Sequence, residues 1–167
     1  MFRTVADFQK AWEYEAESTL KLLRALTDAS LSQAVAPNDR TLGRIAWHVV
    51  TTVPEMMART GLTLSGPEHT APMPAHAADI ATAYDAVTKS LAEQIRERWT
   101  DATLPEIDEM YGEKWKRGFT LAVLIRHQAH HRGQMTVLMR QAGLTVPGVY
   151  GPAREEWTAF GMAPPAI

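Results

Sequence analysis

The chain has 167 residues, 46% of them apolar and 22% charged, the balance of a folded domain and not of a disordered chain. Its net charge of −2 offers no basic surface for nucleic acid, and the absence of cysteine excludes disulfides, thiolate metal sites and a cysteine nucleophile. No uncharged stretch approaches the roughly 18 residues of a membrane span, and Met1 to Asp7 hold no apolar core of signal-peptide length, so one soluble, cytoplasmic domain over residues 1–167 is expected.

The first helix is predicted from about Val5 to Asp28. Thr4 offers an N-cap hydroxyl, and Asp7 three residues on suits a capping-box variant and the helix dipole. Val5, Phe8, Trp12, Ala16, Thr19, Leu23 and Leu26 recur at spacings of three and four and form one stripe. Ser30 to Asn38 reads as a connection. A second helix starts near Thr41, with Leu42, Ile45, Val49, Val53 and Met56 on one face; Pro54 within it predicts a kink or an early end. Gly61 to Ala75 contains Pro67, Pro72 and Pro74 with two glycines and cannot be regular helix. A connection that long suits a crossover running the length of a bundle.

In the third helix Ile80, Tyr84, Val87, Leu91 and Ile95 step by four, three, four and four. Asp101 to Arg117 reads as irregular, broken by Pro105 and Gly112, with Lys114-Trp115-Lys116-Arg117 as the solvated start of the next helix. That fourth helix is predicted from about Thr120 to Gln141, with Gly143 near its C-terminal cap. Leu121, Leu124, Ile125, Gln128, Met135, Leu138 and Met139 lie on or beside its apolar face. A short helix is predicted from Pro152 to Phe160, and the segment 144–167 is expected to pack Tyr150 and Trp157 over the bundle end. Four long amphipathic segments and no convincing strand predict an all-α four-helix bundle with a long crossover between helices two and three.

Of six histidines, His127 and His131 are four apart on the fourth helix, one above the other on the shoulder of its apolar stripe. At that spacing they can grip one metal ion, or serve as polar residues at the core edge. His48, at the border of the second helix's apolar face one turn from Ile45 and Thr52, can supply a third nitrogen or be a hydrogen-bonded core histidine. Three neutral imidazoles leave a coordination position open, and imidazole suits Zn, Ni, Cu or Fe alike. His130 is rotated about 100° from His131 and is expected to face away; His69 and His76 are read as solvent-side. Gln128 follows His127, so the pair is not the His-Glu-x-x-His of zinc proteases. No Glu is followed three residues later by His, which removes the di-iron carboxylate bundle.

Leu42-Gly43-Arg44-Ile45-Ala46-Trp47-His48, followed some eighty residues later by His127-Gln128-Ala129-His130-His131-Arg132-Gly133-Gln134, resembles the DinB/YfiT-like family over essentially the whole chain. The resemblance implies an up-down-down-up four-helix bundle, a homodimer, and a divalent metal, zinc or nickel, on His48, His127 and His131. It further implies a metal-dependent transferase using a low-molecular-weight thiol and a small-molecule substrate. A metal-dependent hydrolase is the other enzymatic reading, and a non-catalytic metal- or ligand-binding dimer of a stress response is the alternative. No general base is identifiable. Gln134, one turn from His130 and His131, is a candidate support for the ligands, and Arg44, one turn before His48, a candidate contact for a substrate carboxylate. Trp12 and Trp47 are expected in the core.

Overall fold

The computed structural model describes residues 1–166. Helix α1 (Val5–Arg24) starts at Thr4, whose Oγ1 accepts the Asp7 N–H at 3.1 Å. It ends before the predicted Asp28, because Thr27 and Ser30 form a reciprocal capping box and restart the chain as a 3-10 turn, Asp28–Ser32. Helix α2 (Leu42–Ala58) is capped by Thr41 and runs a full turn past Pro54, so of the two outcomes expected there the early end does not occur. The proline forfeits the single backbone bond to Val50, while Val53, Met56 and Met57 around it are buried and hold that last turn on the core.

Helix α3 spans Ala77–Arg98 and α4 spans Arg117–Gln141. Helix α4 stops at Gly143, whose φ of +75° is costly for any residue with a Cβ. Its N–H donates to the Arg140 carbonyl and that of Leu144 to Met139, the paired bonds of a Schellman cap.

The region between α3 and α4 departs from the sequence reading. A two-stranded antiparallel hairpin, β1 (Ile107–Met110) and β2 (Glu113–Lys116), pairs Ile107 with Lys116 and Met110 with Glu113. Tyr111 and Gly112 turn it, both at positive φ (55° and 85°), as a tight hairpin requires. Strands of four residues are too short to show an alternation, so only the Tyr-Gly turn could have betrayed them. Arg117, read as solvated, instead donates from Nε to Asp108 at 3.0 Å and pairs with Glu106.

Helix α1 packs on α3 and α4, and α2 on α3 and α4. Trp12 reaches Thr88 and Gln9 reaches Ala92, so α1 and α3 are antiparallel. Phe2 meets Gly118 and Glu15 meets Arg132, so α1 and α4 run the same way. His48 meets His127 while Glu55, further along α2, meets Tyr111 ahead of α4, so α2 opposes α4. The bundle is therefore up-down-down-up, and the parallel neighbours α2 and α3 require the crossover between them. Trp47 anchors that crossover by donating its indole N–H to the Ala71 carbonyl at 2.8 Å.

Phe8, Trp12, Tyr84, Ile80, Leu91, Ile95 and Leu121 fill the centre of the core. The tail forms a 3-10 segment, Arg154–Phe160, where a helix was expected from Pro152. It is tied down by the Arg140–Glu155 ion pair, while Trp157 is half-buried and the exposed Tyr150 ring bonds through its hydroxyl to Glu15 at 2.8 Å.

Candidate metal centre

The register between α2 and α4 is set by a residue that carries no metal chemistry. Gln128 is fully buried, donates from Nε2 to the Val49 carbonyl at 3.1 Å, and accepts the Tyr84 hydroxyl at 3.0 Å. Val49 adjoins His48 and Gln128 adjoins His127, so this clamp fixes the helix rotation that turns the three imidazoles toward one point. In the sequence Gln128 is visible as a residue of the apolar face and as the position that excludes the zinc-protease motif, but not as a clamp.

His48 Nε2 and His131 Nε2 each lie 3.1 Å from His127 Nε2, and the three ligand atoms all fall within 4.8 Å of one another. The hydrogen bonds behind the rings decide which nitrogens carry lone pairs. Gln134 Oε1 sits 2.7 Å from His131 Nδ1 and can only accept, so the proton is on Nδ1 and Nε2 is bare. The Thr52 hydroxyl donates to the His48 carbonyl at 2.6 Å, leaving its oxygen to accept from His48 Nδ1 at 3.3 Å; His48 Nε2 is bare as well. Two lone pairs thus face a third imidazole nitrogen. One proton there can satisfy them only by a bifurcated bond, whereas a divalent cation meets all three. The 3.1 Å spacing is also close to the ~3.3 Å that separates two nitrogens in a tetrahedral zinc shell. The donor set therefore fits a mononuclear divalent metal with a position left open.

Burial first, and then the neighbouring imidazoles and the Arg40 charge, lower the pKa of His48 and His127 to about 4 and that of His131 in the same direction. All three rings are neutral at pH 7. In the metal-free chain, depressed folded-state values mean that the unfolded state binds more protons between the usual 6.5 and about 4. Stability from these groups is present above 6.5 and lost as pH falls through that window. Thermal melts of chelator-treated protein should show a midpoint dropping from pH 6.5 to 4; a flat midpoint would contradict the burial.

Gln134, a candidate from sequence, is brought onto His131. Replacing it with leucine should lower zinc affinity by about 10- to 100-fold while leaving the fold intact, as read by competition with a chromogenic chelator. Arg44, the other candidate, is exposed and lies outside the cavity beside the histidines. Arg40 takes that place: with His131, Gln134, Ile45 and Leu138 it lines a cavity of about 580 Å³ that opens against the cluster. Arg40 sits in the loop before α2, where helical spacing gives no signal. His130 is exposed and stays out of the cluster but lines the same cavity, so it does not face fully away. His69 and His76 are exposed, and His76 pairs with Asp28 at 2.8 Å where α3 begins. Trp12 and Trp47 are core residues.

The sequence profile of the DinB family matches residues 1–165. The uncharacterized protein YrdA of Bacillus subtilis (strain 168) is 48% identical over 167 residues, covering the whole of both chains. A crystal structure of a DinB-like protein from Bacillus cereus ATCC 10987 superposes with a TM-score of 0.87 at 49% identity, covering 90% of this chain and 100% of that one. A second DinB-like protein, YjoA from Bacillus subtilis, shares the fold at a TM-score of 0.67 and 18% identity, covering 86% of this chain and 97% of its own.

Proposed function

The chain belongs to the DinB family, and we propose that it is a mononuclear metalloenzyme, a zinc- or nickel-dependent transferase that uses a low-molecular-weight thiol as cosubstrate. The observation that carries this reading is the convergence of three neutral imidazole nitrogens beside a cavity large enough for a small molecule. His48, His127 and His131 would hold the ion, which when bound would supply the Lewis acidity that lowers the pKa of a thiol or a water.

The chain's own contribution is to hold and shield. Thr52 and Gln134 keep two ring protons on the outer nitrogens, so the inner ones stay free to ligate. Ile45 and Leu138 line the approach with apolar surface, which strengthens electrostatic contacts at the site. Because the chain has no cysteine, a sulfur nucleophile must come from the cosubstrate. A homodimer accompanies this reading as an expectation from the family.

The test uses cobalt in place of zinc. Cobalt-loaded protein titrated with 2-mercaptoethanol should develop an intense near-ultraviolet sulfur-to-metal band. Cobalt that binds but gives no such band would argue for a closed, non-catalytic metal site.

A further inference from the structure

The cavity beside the histidines has a polarity that the metal alone does not explain. Its walls are apolar at Val35, Ile45, Val137 and Leu138 and polar at His130, His131 and Gln134, and His131 joins it to the three-histidine cluster. Arg40 also lines it. Among the described residues Arg40 has no carboxylate within ion-pairing distance, although Asp39 beside it lines the same space. Five other arginines do pair, with Glu15, Glu17, Glu55, Glu106, Asp108 or Glu155, while Arg40 is the arginine on the cavity wall. An unpaired guanidinium on the wall of a small-molecule cavity is a ready partner for a carboxylate, because its planar fork matches the two oxygens.

We infer that this cavity selects an acidic small molecule, with its carboxylate on Arg40, its carbon skeleton along Ile45, Val137 and Leu138, and its donor atom directed at the three-histidine cluster. The inference rests on the metalloenzyme reading above and adds the substrate class. Arg40 is then an anion-binding residue that discriminates among thiols by charge. Asp39, one residue away, opposes the same anion.

Zinc-loaded protein titrated by calorimetry with 3-mercaptopropionate and with its neutral amide, 3-mercaptopropionamide, tests this. The parent should bind the acid at least tenfold more tightly than the amide. In Arg40→Gln that preference should collapse to within about twofold, with amide affinity and zinc content unchanged, since Arg40 is not a ligand. Asp39→Asn should keep or widen the preference, which a general disturbance of the loop would not do. Equal affinities for acid and amide in the parent, or a preference that survives in Arg40→Gln, overturn the inference and leave the metal site standing. Failure of the parent to take up zinc overturns both, and the metal content of the same samples separates the two failures.

Discussion

Replacing His127 by alanine is expected to reduce bound zinc or nickel from about one ion per chain to near zero, with the helical fold kept. His127 is the shared member of the cluster: its Nε2 is 3.1 Å from the Nε2 of both other rings, so it holds the geometric centre. Its outer nitrogen, Nδ1, is buried without a hydrogen-bond partner, so the ring's place is not defended by an outer contact as those of His48 and His131 are. Losing an outer support lowers metal affinity by about 10- to 100-fold, and losing a ligand should cost more than that upper figure. Elemental analysis after dialysis against a weak chelator, beside a circular dichroism spectrum, checks it. Retention of stoichiometric metal by a folded His127→Ala protein would remove the assignment.

The second large effect concerns stability. Arg132 follows His131 by one residue and is therefore turned about 100° away, toward α1. It is 2% exposed, and its guanidinium pairs with Glu15, donates to the Glu15 carbonyl at 3.0 Å and to Thr19 Oγ1 at 2.8 Å, and bonds Tyr150 of the tail. Removing one partner of a buried ion pair leaves the other charge without compensation and costs about 3–5 kcal/mol. Arg132→Leu should lose that amount in urea unfolding, and the tail should become more sensitive to protease because Tyr150 loses its partner. Metal bound per folded chain should not change, since Arg132 faces away from the cluster. A loss under about 1 kcal/mol would mean that the pair is solvated and structurally idle.

Arg132 also illustrates what the sequence could and could not convey. The string from His127 to Gln134 reads as one motif, yet its residues serve three neighbours. His127 and His131 face the three-histidine cluster with Gln134 behind, Gln128 locks α4 to α2 and α3, and Arg132 bolts α4 to α1. Helical periodicity made the first group legible, because a spacing of four puts two rings on one face whatever surrounds them. It also located the buried stripe of α3, since Ile80, Tyr84, Val87, Leu91 and Ile95 all face the core.

What escaped sequence reading was non-periodic. The hairpin has strands of four residues, and its turn needs positive φ at Tyr111, a residue type with no preference for it. Arg40 lies in a loop, where no spacing tells which way a side chain points, so Arg44 was the candidate its helical position made visible. Thr27 ended α1 early through two side-chain bonds that an apolar stripe running on to Leu26 conceals. Pro54 is the converse case. A residue that breaks helices in isolation is held in one because burial of Val53, Met56 and Met57 outweighs one lost backbone bond.

X-ray absorption at the metal edge of the loaded protein, before and after addition of 3-mercaptopropionate, decides whether His48, His127 and His131 hold an ion that a thiol can reach. The expected result is a shell of three imidazoles and one further light atom, with that light atom replaced by a single sulfur when the thiol is present. Four protein ligands indifferent to the thiol, or a chain that takes up neither zinc nor nickel, would contradict it.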